Sequence, residues 1–394
     1  MSLAGESGSL APPAKLLRGP NTELIGIPGS RWRLATPALI IDLDALEYNI
    51  VTMANWSKSN AVRLRPHAKT HKSAVIARLQ LDAGAVGICV AKPSEAERFV
   101  ELGVGKILVT SPIVTDAAID RVLDLNEKAE ELQIVVDNSA VVAKLGDALS
   151  RRRKPLSILV DIGMGRNRTG VAMPAQAGEL AQAIARHRGL KLRGLQAYAG
   201  HVQHIVEHSA RAAAARDALV RIREARDAMA AVGHRPDIVT GGGTGSYDID
   251  GDAQIFTDLE VGSYVFMDVQ YNELVRGDGT AGPFRTSLFV QSTVISANKA
   301  GQATTDAGFK AFATDGPKPV IASGAPSGSE YVFMGDEHGC VMLPKGANGL
   351  EVGSVVTCVT PHCDPTVNLF DWYHCVRGDT LIDIWPVDTR GRTW

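Results

Sequence analysis

The sequence predicts an α/β protein: a (β/α)8 barrel over residues 36–275, followed by a β-rich domain over 276–394. Three observations carry this. From Val62 to Val265, short runs of aliphatic and β-branched residues alternate with amphipathic helical patterns, the texture of parallel strands joined by crossover helices. Eight such runs are present, the number that closes a barrel, with a doubly wound open sheet as second choice. From Ser287 onward the helical period is lost, and short β-type runs are separated by Gly, Asp, Asn and Pro turns.

Taken in order, residues 1–35 read as a poorly ordered tail plus a segment associated with the β domain. Pro37–Leu43 reads as a buried strand that pairs into that domain, and Asp44 as the N-cap of the helix after it. The barrel strands are expected at Val62–Arg65, Gly87–Val90, Ile107–Thr110, Gln133–Val136, Leu156–Val160, Leu192–Ala197, Asp237–Thr240 and Leu259–Val265. Helical periodicity fills most gaps, at Ser73–Leu81, Ser94–Leu102, Ala117–Leu125, Ala140–Leu149, Ala175–Ala185 and Ser209–Val232. In the second domain, strands are expected at Leu288–Ile295, Val355–Val359, Trp372–Val376 and Leu381–Trp385.

A net charge of -2 gives no electrostatic reason to expect nucleic acid or an anionic membrane as partner. No apolar run reaches membrane-spanning length. The N-terminal stretch lacks a basic flank before an apolar core, so no secretory signal is expected. Five dispersed cysteines, an odd number without a CxxC pair, favour reduced thiols in a cytoplasm.

The chemistry-bearing residues gather on one predicted rim. Active sites of barrels are built from loops at the C-terminal ends of the strands. Lys69, in Arg65-Pro66-His67-Ala68-Lys69-Thr70-His71-Lys72, follows the first strand, and the neighbouring cations should lower its pKa and favour Schiff-base chemistry. A solvated basic turn would read the same way in isolation. Arg166 and Arg168 follow the fifth strand, Tyr198 and His204 the sixth. The glycine run Gly241–Gly245 follows the seventh, and Gly262-Ser263-Tyr264 falls at the eighth. Glycines admit an anion close to the backbone, and barrels often bind phosphate there. A Schiff-base lysine with a phosphate cradle points to pyridoxal phosphate, ahead of a cofactor-free Schiff-base aldolase.

In the β domain, Pro361-His362-Cys363-Asp364-Pro365 on an extended chain would put His362 and Asp364 on one face and Cys363 on the other. That donor pair suits Mn²⁺, Zn²⁺ or Mg²⁺, with positions left for water and substrate. A turn with a surface histidine is the plainer reading of the motif alone. His204 is a candidate general base, with His201 its competitor. Asp336–Gly339 reads as a substrate-contacting loop or a polar hairpin tip, and Cys89 as a core residue.

Seven motifs in order carry a resemblance: RPHAKTHK, Asp161–Gly170, QAYAGHVQH, GGGTGS, EVGSYVFMD, DEHG and PHCDPTVN. From about Thr36 to the C-terminus, the chain resembles the D-threonine aldolase and D-serine dehydratase family. These are fold-type III pyridoxal-phosphate enzymes with an alanine-racemase-like barrel and a β domain. The resemblance implies that Lys69 holds the cofactor, that Gly243, Thr244, Gly245, Gly262, Ser263 and Tyr264 surround its phosphate, and that Tyr198 lies near its ring. It implies His204 as the base and His362 with Asp364 as metal ligands. Two extra residues between Gly165 and Thr169 leave either Arg166 or Arg168 as the ring-binding arginine, Arg168 being the better local match. The aldolases of the family resemble His-x-Asp, as here, and the dehydratases His-x-Cys. PHCDPT with Asp371-Trp372-Tyr373 is also similar to D-3-hydroxyaspartate aldolases. The resemblance implies a homodimeric aldolase that cleaves small D-3-hydroxy amino acids such as D-threonine and D-allo-threonine to glycine and an aldehyde. The alternatives are a D-3-hydroxyaspartate aldolase, a D-serine or 3-hydroxyaspartate dehydratase and, last, a pyridoxal-phosphate homeostasis protein without turnover.

Overall fold

The computed structural model describes residues 19–165 and 168–394, so the N-terminal tail and Arg166 lie outside the described residues. β1 (Ala38–Asp42) runs directly into α1 (Leu43–Ser59). Eight parallel strands follow: β2 (Arg63–Leu64), β3 (Ile88–Val90), β4 (Lys106–Val109), β5 (Glu131–Val136), β6 (Leu156–Asp161), β7 (Leu190–Ala197), β8 (Ile238–Gly241) and β9 (Asp258–Leu259). The crossovers between them are α2 (Ala74–Asp82), α3 (Pro93–Glu101), α4 (Asp116–Lys128), α5 (Ser139–Leu149), α6 (Gln176–Ala185), α7 (His208–Ala231) and α8 (Tyr247–Asp252).

The strands pair in the order β2-β9-β8-β7-β6-β5-β4-β3. The two ends of this row are joined by backbone bonds: Val86 N–H to the Leu64 carbonyl (2.9 Å), Cys89 N–H to Pro66 (2.8 Å) and Ala68 N–H to Cys89 (2.8 Å). The ring is closed, which excludes the open sheet. An apolar layer of Cys89, Leu108, Val135, Leu159 and Ile238 fills the barrel interior, each large aliphatic side chain contributing about 1.5–3 kcal/mol by burial. Polar pairs also occupy the interior: Arg65 with Asp258 (3.5 Å), Thr240 with Glu260 (3.1 Å) and Gln196 with Asp161 (3.1 Å).

The second sheet has β10 (Leu288–Lys299), β11 (Gln302–Thr305), β12 (Val320–Ser323), β13 (Glu330–Phe333), β14 (Gly339–Met342), β15 (Val355–Val359), β16 (Trp372–Arg377) and β17 (Thr380–Pro386). Two short helices serve the junction, α9 (Val269–Asn272) and α10 (Cys363–Val367). β1 is a central strand of this sheet, antiparallel to β10 (Leu39 opposite Val290) and parallel to β16 (Ile40 opposite His374). It thus joins the β domain although it lies inside the range expected for the barrel.

Three local expectations differ from the structure. Asp42 caps α1, its carboxylate accepting from Ala45 N–H at 3.1 Å, while Asp44 pairs with Arg377. The last barrel strand stops at Leu259, and Ser263–Val265 forms a 3-10 turn. The Pro361–Pro365 stretch is extended only as far as His362, where α10 begins.

Candidate active site

Lys69 sits on a tight turn between β2 and α2. The turn is fixed from both sides: His67 N–H donates to the Val261 carbonyl (3.0 Å) and Lys72 N–H to Ala68 (2.7 Å). Lys72 adopts a left-handed φ of 50°, which ends the turn so that α2 starts at Ala74. The Asp388 carboxylate then accepts from Ala74 N–H at 2.7 Å. The cations expected to crowd Lys69 have partners of their own. Arg65 is engaged with Asp258, and the Lys72 ammonium lies 2.6 Å from Glu95. Burial pushes the His67 pKa down, so that ring stays neutral.

The Lys69 amine donates to Asp364. Burial alone would lower the Lys69 pKa, but the Asp364 carboxylate, with Tyr198 acting the same way, raises it. The depressed lysine expected from the cation cluster is therefore not what the structure contains. The reason is tertiary: a carboxylate 295 positions away in sequence outweighs the local cations.

Around Lys69 a cavity of about 330 Å³ opens at the C-terminal ends of the strands. Arg168, Tyr198 and His204 line one part, with the Arg168 guanidinium 5.8 Å from the Tyr198 ring centre. The His204 ring lies against Tyr271 at 4.8 Å, whereas His201 is exposed and outside the cavity lining. Between β6 and α6, the Gly163 and Ala172 carbonyls accept from Arg221 of α7 at 2.9 and 2.6 Å.

Gly243, Thr244, Gly262 and Ser263 line the part reached from β8 and β9. A Cβ on Gly243 would stand 2.4 Å from Gln203 Oε1, and one on Gly262 2.7 Å from Thr70 Oγ1, so a larger residue at either place would displace a neighbouring side chain. Gly245 and Tyr264 lie behind this wall. The Gly245 N–H donates to Gln203 Oε1 (2.9 Å), and the Tyr264 N–H to Thr244 Oγ1 (3.0 Å). The Tyr264 ring is fully buried, with its hydroxyl accepting from Gln80 (3.0 Å). Both residues support the turn instead of facing the cavity.

The β domain closes the site with His362 and Asp364. Asp364, on the first turn of α10, also accepts from Thr70 Oγ1 at 3.1 Å. Burial alone would raise its pKa, but Lys69 and then His362 hold it below the usual carboxylate range. His362 Nε2 lies 3.9 Å from Asp364 Oδ2, while Nδ1 lies 2.9 Å from Asp315 Oδ2. Cys363 is wholly buried, its thiol 3.6 Å from the Met267 carbonyl, so it points away from the pair. The Asp336–His338 stretch is the tip joining β13 and β14 and does not line this cavity.

Sequence reasoning missed Thr70, Gln203, Tyr271, Glu260 and Asp315. Thr70, Gln203 and Glu260 lie inside motifs already singled out, but no role was read for them. Glu260 is buried against the cavity, and burial pushes its pKa up to about 8. Among the described residues no cluster of three His, Cys, Asp or Glu side chains forms a metal site, so His362 and Asp364 stand as a pair. Nor is any helix among those residues long and apolar enough to cross a membrane.

Comparison with known proteins agrees with this geometry. Residues 41–270 match the alanine racemase N-terminal domain, and residues 287–376 a putative serine dehydratase domain. A 3-hydroxy-D-aspartate aldolase of Paracoccus denitrificans (strain Pd 1222) is 36% identical, with 94% of this chain and 96% of the relative covered. A D-threonine aldolase of an Arthrobacter species is 37% identical over 91% of this chain and 93% of its own. The crystal structure of D-threonine aldolase from Filomicrobium marinum superposes with a TM-score of 0.88 at 37% identity, covering 92% of this chain and 98% of that one. The chain belongs to the D-threonine aldolase and D-serine dehydratase family of alanine-racemase-like proteins.

Proposed function

We propose that the chain is a pyridoxal-phosphate- and divalent-metal-dependent aldolase that cleaves D-threonine and D-allo-threonine to glycine and acetaldehyde. One observation carries the reading: Lys69, His204 and the His362–Asp364 pair face a single cavity, although they come from three separate parts of the chain. The residues fit both groups. Gly243 and Gly262 line the cavity together with the hydroxyl-bearing Thr244 and Ser263, a glycine- and hydroxyl-lined wall that suits a phosphate. Lys69 would hold the cofactor covalently, and Arg168 with Tyr198 would border its ring. A nitrogen and an oxygen donor 3.9 Å apart are within the span of two ligands on one divalent ion.

When bound, the cofactor supplies an electron sink for the breaking Cα–Cβ bond, and the metal a Lewis acid for the 3-hydroxyl. His204 takes the hydroxyl proton, since an imidazole can exchange protons near neutral pH, and its contact with Tyr271 sets its orientation. The His362–Asp364 pair lies on one wall of the cavity, so only one Cα configuration brings the 3-hydroxyl to it. The hydroxyl and its neighbour on Cβ can exchange places by rotation. Strictness at Cα and tolerance at Cβ follow.

Assay of D-threonine, D-allo-threonine and L-threonine tests this. Both D isomers should yield glycine and acetaldehyde, with L-threonine inert; comparable cleavage of L-threonine would overturn the reading. D-3-hydroxyaspartate, yielding glycine and glyoxylate, is the second substrate to try, favoured by the identity to relatives named for it. Ammonia and an oxoacid as main products would instead mark a dehydratase, a reading weakened by Asp364 at the position where the dehydratases of the family resemble cysteine. A cytoplasmic homodimer belongs to the same proposal, supported by free buried cysteines and by the family resemblance.

A further inference from the structure

We infer that Asp315 is the positioning residue of the metal pair: it fixes the tautomer and the orientation of His362, so that Nε2 is the nitrogen offered to the cation. This rests on the metal reading above and deepens it. The imidazole has two nitrogens with different neighbours. Nδ1 is 2.9 Å from Asp315 Oδ2, whereas Nε2 is 3.9 Å from Asp364 Oδ2. A carboxylate only accepts hydrogen bonds, so the contact at Nδ1 requires the proton there and, in the neutral ring a metal ligand needs, leaves the Nε2 lone pair toward Asp364. Carboxylate-to-imidazole contacts of this kind raise ligand basicity and hold the ring in place.

Asp315 would be a poor anchor if its segment moved freely, because its side chain is 55% exposed. The backbone answers that objection. Thr366 Oγ1 donates to the His362 carbonyl (2.8 Å) and accepts from Ala313 N–H (3.0 Å). Two residues before Asp315, the segment is therefore tied through one hydroxyl to the residue whose ring Asp315 contacts. Gly316 continues the close approach: a Cβ there would stand 3.3 Å from Gln270 Nε2 and 3.9 Å from the Pro361 carbonyl. The carboxylate is held against the ring by the fold around α10, and its exposure makes it removable without opening the core.

The test is Mn²⁺ binding to the chelator-stripped, cofactor-loaded protein, followed by the loss of the free-ion electron paramagnetic resonance signal. Wild type, Asp315→Ala, Asp315→Asn and His362→Ala are compared, with melting temperature and cofactor absorbance recorded for each. Asp315→Ala should weaken Mn²⁺ binding about 10- to 100-fold. Asp315→Asn, which keeps an oxygen acceptor, should recover part of that loss, with melting temperature and cofactor absorbance unchanged in both. Undiminished binding in Asp315→Ala, while His362→Ala fails to bind, would overturn this inference and leave the metal site standing. Equal binding by wild type and His362→Ala would overturn the metal site itself, and the role of Asp315 with it. A weakened Asp315→Ala whose melting temperature falls in parallel, with no recovery in Asp315→Asn, would show a merely structural contact and reject the positioning role.

Discussion

Two lysines three positions apart illustrate what a side chain's environment decides. Lys69 reaches into the cavity, whereas Lys72 is buried against Glu95 with its backbone in a left-handed conformation. Borohydride reduction of the cofactor-loaded protein should leave a pyridoxyl group on the peptide bearing Lys69, and Lys69→Ala should lose the visible cofactor absorbance. Label on Lys72 would contradict the assignment. The octapeptide singled out in the sequence does line the cavity, but the electrostatics expected of it differ from the structure, because Asp364, Asp258 and Glu95 enter only through the fold. A second residue makes a pH statement. Glu260 is held protonated by burial, its pKa up from 4.5 to about 8. Its contribution to stability is therefore fully present below the unfolded value and is lost as pH rises towards about 8. His71, pushed down to about 4 by burial, acts in the opposite direction but only below its unfolded value of 6.5. The melting temperature should fall between pH 6.5 and about 8, and less steeply in Glu260→Gln. An unchanged slope in that variant would exclude Glu260 as the source.

α10 shows why a short element escapes sequence reading. Five residues including Pro365 give no helical period, and proline is tolerated there because the first turn needs no donor from it. What holds α10 is tertiary. Asp268 accepts from Cys363 N–H at 2.9 Å, and Thr366 links the His362 carbonyl to Ala313 N–H. None of these bonds involves the side-chain atoms of His362 or Asp364 proposed to hold the metal. Chelation should therefore abolish aldolase activity while circular dichroism and cofactor absorbance persist, and Mn²⁺ should restore turnover. Unfolding on chelation would make the ion structural instead. The strands β11 to β14 escaped for a related reason: each has four residues, too few for alternation to stand out from a loop.

Across the whole molecule, the barrel was legible because its strands are buried on both faces and its helices are amphipathic, so each element advertises itself locally. The rim residues were legible because they follow those elements in order. The polar interior was not: Asp161, Gln196, Thr240 and Glu260 come from four different strands or strand ends, and nothing in their separate neighbourhoods announces the contacts. Asp315 belongs with them, since its partner lies 47 positions away.

β1 has a consequence for the order in which the protein is made. Four of its five residues, Ala38–Ile41, are wholly buried, yet Ala38 sits opposite Gln291 and Leu39 opposite Tyr373. During synthesis this apolar strand leaves the ribosome before the barrel and meets its partners only after the entire barrel has followed. Closing so long a loop delays pairing, and an unpaired apolar strand is an edge open to other chains. A chain interrupted after the barrel would keep β1 and lack everything that covers it. The strand that precedes the barrel is therefore held by residues translated after the barrel.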